Sequence, residues 1–193
     1  MEDRERPWAP GGVEGGLTLL KSREEIGEIV GRLASRISAD YGATTPVLVG
    51  ILKGSFVFLA DLCRALSIPH EVDFIRTSSY GRDGTPSSEV HILKDTELAV
   101  EGRHVIVVED IVDRGATLTA LLRHMEAKRP ASIRVCALLR RAPAGPGPLD
   151  AAIHYLGAVV GEGFVVGYGM DYREGLRGLP DLYTVGRRGH EQR

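Results

Sequence analysis

This sequence is short of cysteine, of aromatic residues and of net charge. Two cysteines in 193 residues, Cys63 and Cys136, are too few for a disulfide framework. Both stand inside apolar runs, where they read as buried core thiols rather than metal ligands. The single tryptophan, Trp8, lies in a charged, Pro- and Gly-rich leader and is expected to be exposed. A formal net charge of −2 leaves no cationic excess for a broad nucleic-acid surface. No apolar run approaches the roughly 20 residues that cross a bilayer, and no signal-peptide pattern is present. The expected setting is the cytoplasm, with neither membrane nor nucleic acid as partner. The pattern Gly-x-x-x-x-Gly-Lys-Ser/Thr is missing, which excludes a Walker A phosphate loop. No internal repeat is seen.

What remains is ordinary globular material, 43% hydrophobic and 26% charged. The length suits one domain with a sizeable core and a small flap. Residues 1–16 form an aperiodic leader expected to be disordered, 17–186 the domain, and 187–193 a solvated tail. Ser22-Arg23-Glu24-Glu25 reads as a capping box. Ile26, Ile29, Val30, Leu33 and Ile37 follow at helical spacing, predicting an amphipathic helix over 22–39. Pro46 to Ile51 reads as a buried strand, and Phe56 to Leu66 as a helix. The turn between them holds Lys53-Gly54, a cation beside a glycine. His70 to Arg76 and Glu89 to Leu93 read as strands. The polar stretch between them, Ser78 to Ser88, reads as a loop and candidate lid.

The chain is organised around Val105-Ile106-Val107-Val108-Glu109-Asp110-Ile111-Val112-Asp113-Arg114-Gly115-Ala116-Thr117. A β-branched run predicts a short buried strand. Two carboxylates, Glu109 and Asp110, follow it. Asp113, Gly115 and Thr117 then open a helical run through Leu118, Leu121, Leu122 and Met125. A strand, a tight loop and a helix N-terminus make a phosphate cradle, because free N–H groups and the helix dipole favour an anion. Gly115 lets the backbone approach closely and Thr117 adds a hydroxyl. Carboxylates beside a phosphate repel it unless they hold ribose hydroxyls or a divalent cation. A sugar phosphate with Mg²⁺ satisfies every part at once. His124 beside the helix reads as structural. Further on, Ser132 to Leu139 reads as a strand ending at Arg140-Arg141, then a Pro/Gly linker over 143–148, then a strand from Ile153. Phe164-Val165-Val166-Gly167-Tyr168-Gly169-Met170-Asp171-Tyr172 places an aromatic, two glycines and a carboxylate together. Arg177 and a last strand up to Val185 follow.

The Glu109-to-Thr117 pattern resembles the phosphoribosyl-pyrophosphate motif of the type I phosphoribosyltransferases. The Glu109-Asp110 pair and the Phe164–Asp171 segment resemble the hypoxanthine-guanine branch. The resemblance spans residues 17–186. It implies an α/β fold with a central, mainly parallel sheet flanked by helices, and a small flap or hood built from the N-terminal part and residues 150–186. It implies transfer of phosphoribosyl to N9 of a 6-oxopurine, hypoxanthine and/or guanine, with release of pyrophosphate, in purine salvage. Glu109, Asp110, Asp113, Arg114, Gly115, Ala116 and Thr117 would then bind phosphoribosyl pyrophosphate. Asp113 would be the general base. Lys53, Gly54 and Arg177 would meet the pyrophosphate, and the peptide before Lys53 can be cis. Arg141, Phe164, Val165 and Asp171 would hold the purine, with Ser79-Tyr80 closing as a lid. Glu109, Asp110 and Asp171 would hold Mg²⁺. Such proteins are usually homodimers or homotetramers.

Two positions depart from the family pattern. Arg114 stands where Ser or Thr is usual, and Arg141 where a lysine reads the purine 6-oxo group. Arginine keeps the donor and the charge, with a different geometry. The glycine-rich Gly161-Glu162-Gly163 is expected to loosen the pocket wall. Two other readings stand beside this one: a xanthine-preferring transferase, and a non-enzymatic RNA-binding regulator of the same fold. The second fits poorly with the negative net charge and with Lys53, Asp113 and Arg177 all being present.

Overall fold

The structure is a computed structural model that describes residues 16–80, 86–142 and 148–186. The leader with Trp8, most of the 143–148 linker and the tail lie outside the described residues. The elements run β1 (Leu17–Lys21), α1 (Arg23–Tyr41), β2 (Val47–Leu52), α2 (Phe56–Ala65), β3 (Glu71–Tyr80), β4 (Pro86–Lys94) and β5 (His104–Val112). Then come α3 (Ala116–Glu126), β6 (Ser132–Arg141), α4 (Pro148–Ala152), β7 (Ile153–Val160), β8 (Phe164–Val166) and β9 (Leu182–Val185).

Six strands form the main sheet in the order β4-β3-β2-β5-β6-β7. All its neighbours pair in parallel except the β3–β4 edge hairpin. The central strands β2 and β5 are buried on both faces, which is why their sequences are continuous apolar runs rather than alternating ones. The period of two still sorts the core. Leu48, Ile106, Val108, Cys136 and Leu138 face α1 and α2, while Val47, Val49, Val105, Val107, Val135 and Ala137 face α3. Cys136 is buried and Cys63 half-buried, both as free thiols. Helix α1 starts on the expected capping box, with Ser22 Oγ accepting from Glu25 N and Glu25 accepting from Ser22 N.

The flap is a separate antiparallel sheet, β1-β9-β8, built from both ends of the chain. No helix among the described residues is long and apolar enough to cross a membrane.

Three local readings change. Of the polar stretch 78–88, residues 78–80 and 86–88 are strand, with Ser78 paired to His91 and Tyr80 to Pro86, and 81–85 lie outside the described residues. An antiparallel edge hairpin needs only one apolar face, so polarity does not prevent pairing, and Pro86 opens its strand where no donor is needed. The end of the linker is a short helix, α4, with Pro148 at its first position. Strand β5 continues four residues past Val108, so Glu109 and Asp110 sit within the strand rather than after it. Its pairing with β2 stops at Val108, whereas pairing with β6 continues to Val112. That leaves one side of the Glu109–Val112 segment open.

Candidate active site

The open segment of β5 faces two adjoining clefts at the C-terminal edge of the sheet, where ligands of parallel α/β sheets gather. The first cleft, about 350 Å³, is lined by Glu109, Asp110, Asp113, Arg114, Gly115, Ala116 and Thr117. The second, about 590 Å³, is lined by Lys53, Gly54, Asp110, Asp113, Arg141, Phe164, Val165, Asp171 and Arg177. Asp110 and Asp113 belong to both. Residues from five parts of the chain thus share one place. Ser79 and Tyr80 end β3, and Thr77 and Ser78 beside them line the second cleft.

The strand, tight loop and helix N-terminus expected around Gly115 are present, β5 ending at Val112 and α3 starting at Ala116. Gly115 has φ +77°, a left-handed backbone that favours glycine, and an added Cβ would lie 2.4 Å from the Leu149 Cδ1 side-chain tip. It also stands as the N-cap of α3 with no side-chain cap, which leaves the first-turn N–H groups open to an anion.

The second loop joins β2 to α2. Its Leu52–Lys53 peptide is cis. Lys53 Nζ donates to Glu174 Oε2 at 2.9 Å. Arg177 meets the same Glu174 oxygen at 3.3 Å, Asp171 Oδ1 at 2.7 Å and the Gly169 carbonyl at 2.8 Å. Glu174 thus bridges the two cations, which hold its carboxyl below the usual range, Lys53 foremost. No sequence pattern singled out Glu174. Its role depends on a turn in which Arg173, Glu174 and Leu176 all have positive φ.

Asp110 is 9% exposed and packs against the bare Cα of Gly54, where an added Cβ would lie 1.8 Å from Asp110 Oδ2. Burial pushes Asp110 up, opposed by the backbone amides of Ile111 and Asp110. Burial also pushes Glu109 well up, reinforced by the Asp110 charge and the hydrogen bond between the two carboxyls. Both carboxyls bind protons more tightly folded than unfolded. The folded chain holds the larger number of protons between the ordinary and the raised values, so stability falls as pH rises through that window. Glu109→Gln is expected to flatten this fall in the ligand-free protein, as thermal melts across a pH series would show. An unchanged slope would exclude this burial as its cause.

The acidic oxygens of Glu109, Asp110 and Asp171 are the donor type that hard divalent cations take. Among the described residues no three His, Cys, Asp or Glu side chains converge into a ready-made metal site. A cation here would complete its shell with water and substrate oxygens.

Phe164 is 55% exposed, so it is not core. Its ring meets Tyr172 edge-on at 5.8 Å, and it lines the cleft. Arg141 Nη1 donates to the Gly161 and Gly163 carbonyls at 2.9 and 2.7 Å. That glycine-rich segment is therefore tied down rather than loose, since its free carbonyls accept a cation. Arg141 Nε lies 3.4 Å from Asp113 Oδ2. Arg114 is exposed at a third opening, beside Arg141 and Phe164.

Residues 18–173 match the family model of the phosphoribosyl transferase domain. The chain is 38% identical over 189 residues to the hypoxanthine-guanine phosphoribosyltransferase of Mycobacterium avium, covering 95% of this chain and 91% of that one. A crystal structure of a hypoxanthine-guanine phosphoribosyltransferase from Bacillus anthracis superimposes with a TM-score of 0.79 at 37% identity, covering 88% of this chain and 99% of the other. The Trypanosoma cruzi hypoxanthine phosphoribosyltransferase in complex with its product IMP gives 0.78 at 40% identity, over 86% and 92%. By these matches, and by the mainly parallel sheet with its acidic loop, the chain belongs to the phosphoribosyl transferase family.

Proposed function

We propose that this protein is a hypoxanthine-guanine phosphoribosyltransferase of purine salvage. It moves the 5-phosphoribosyl group of phosphoribosyl pyrophosphate to N9 of hypoxanthine or guanine, giving IMP or GMP and pyrophosphate. One observation supports this most: Lys53, Asp113, Arg141, Asp171 and Arg177 line one cleft with an exposed aromatic ring between them.

The reaction breaks the bond from C1′ to the pyrophosphate oxygen and forms the bond from C1′ to N9. The 5′-phosphate sits on the amides and hydroxyl of 113–117, opposite the helix dipole. Glu109 and Asp110 accept from the ribose hydroxyls, a task that suits carboxylates. Lys53, the Gly54 backbone and Arg177 receive the leaving pyrophosphate, where negative charge grows. Glu174 holds these two cations in place beforehand and yields them to the incoming phosphates. Mg²⁺, held by Glu109, Asp110 and Asp171 with waters, would neutralise phosphate charge. Asp113 takes the N7 proton of the purine as N9 attacks. The β3–β4 hairpin, with Ser79 and Tyr80, closes over the cleft and excludes water. Assembly into dimers or tetramers belongs to the same reading, and sedimentation tests it.

The purine stacks on Phe164. Base stacking on an aromatic is worth roughly 1–3 kcal/mol, so Phe164→Ala is expected to raise the purine KM about 5- to 150-fold. A KM within error of the parent would remove the ring from this role. Arg141 donates to the 6-oxo oxygen, and a guanidinium facing the 6-amino group of adenine would be mispaired. The deciding assay follows pyrophosphate release with phosphoribosyl pyrophosphate, Mg²⁺ and each purine in turn. Release is expected with hypoxanthine and guanine and not with adenine. Faster release with xanthine than with either would support the xanthine-preferring alternative, and no release with any purine would overturn the proposal.

A further inference from the structure

Arg140 has no part in the chemistry above, yet it is 7% exposed, and arginine is seldom buried without a partner. Its Nε donates to Asp150 Oδ1 at 2.9 Å. Its Nη1 donates to the Asp113 carbonyl at 2.6 Å and the Arg141 carbonyl at 2.7 Å, and reaches the Val112 carbonyl at 3.4 Å. These carbonyls belong to the peptides that carry the general base and the purine-reading arginine. Asp150 lies on α4, and its neighbour Leu149 packs against Gly115 of the cradle. Helix α4 therefore supports the loop directly through Leu149 and indirectly through the Arg140–Asp150 ion pair.

The loop needs such support. The Asp113 side chain is 59% exposed, and its own ion pair is the 3.4 Å contact with Arg141. A base or phosphate donor displaced by about 1 Å costs about 10²-fold in rate. We propose that Arg140, balanced by Asp150, is a positioning residue that fixes the Asp113 peptide, so that the base and the phosphate cradle hold one geometry. A planar guanidinium can span a carboxylate and several carbonyls at once, which an ammonium on a single point cannot. The inference rests on the proposed cradle and goes beyond it, because Arg140 touches no substrate.

The test compares the binding of IMP with that of inosine, which lacks the phosphate, alongside steady-state kinetics. Arg140→Met is expected to reduce the IMP-to-inosine affinity ratio by about 10-fold, the scale of lost charged hydrogen bonds. It is expected to lower kcat by about 10–100-fold. Arg140→Lys should recover only part of each, and Asp150→Asn should move both in the same direction by less. Simple destabilisation lowers the melting temperature and weakens both ligands alike, leaving the ratio unchanged. A folded Arg140→Met with ratio and kcat within about two-fold of the parent overturns the inference. If that variant does not fold, Asp150→Asn decides by the same ratio. Thr117→Val tests the cradle separately. An unchanged ratio there overturns the cradle and this inference with it. A reduced ratio there beside an unchanged one in Arg140→Met overturns this inference alone.

Discussion

Asp113→Asn is expected to lower turnover by about 10²–10⁴-fold, the usual span of general-base catalysis. That is roughly 3–5 kcal/mol of barrier. The amide has the shape of the carboxylate but cannot take a proton from purine N7. Binding of phosphoribosyl pyrophosphate should persist, because the amides of 113–117 and the Thr117 hydroxyl are untouched. The plainer role, Asp113 as a helix cap, does not apply. The N-cap of α3 is Gly115, and the helix has no side-chain cap. Steady-state rates with hypoxanthine and guanine, beside equilibrium binding of phosphoribosyl pyrophosphate, check the expectation. Undiminished turnover would assign the proton to another group.

The second large effect is expected at Gly169, which does not touch the cradle. Its φ is +101°, and an added Cβ would lie 2.2 Å from the Gly54 carbonyl oxygen. Its N–H donates to the Arg177 carbonyl, and its own carbonyl accepts from Arg177 Nη1. One glycine thus spaces the backbone of Gly54, proposed above to meet the pyrophosphate, from the anchor of Arg177. Gly169→Ala imposes a strained backbone, about 1–3 kcal/mol, and the clash falls on main chain, which cannot swing aside. The melting temperature should fall. Catalytic efficiency with phosphoribosyl pyrophosphate should fall by about 10²-fold, the cost of displacing a positioned group by about 1 Å. Gly178→Ala is the control, since a Cβ added there would meet nothing within 4 Å, and its effect should stay within about 0.5 kcal/mol. Equal behaviour of the two variants would mean that the Gly169–Gly54 approach has no functional weight.

Much of the fold could be read from the order of residues. The apolar runs of β2 and β5 declared strands buried on both faces, and the spacing of Ile26, Ile29, Val30, Leu33 and Ile37 declared α1. These are local periodicities, and local geometry fixes them. The carboxylate pair, Gly115 and the helix start at Ala116 were legible for the same reason. The pairing of β3 with β4 was harder to read, because polar composition does not separate a loop from an edge strand whose backbone is paired on one side.

The rest was decided by packing between distant parts of the chain. Lys53 and Glu174 stand 121 residues apart, and no spacing rule links them. Phe164 could have been core by composition, and only its place at the mouth of the cleft exposes its ring. Arg140 and Arg141 are neighbours of one residue type, yet alternation along β6 sends one beneath the Asp113 loop and the other towards the flap carbonyls. Sequence alone determined which local pieces form and which of them carry charge. The tertiary structure decided which charges meet, because burial, close approach and partner choice depend on surfaces that exist only once the sheet, helices and flap have packed.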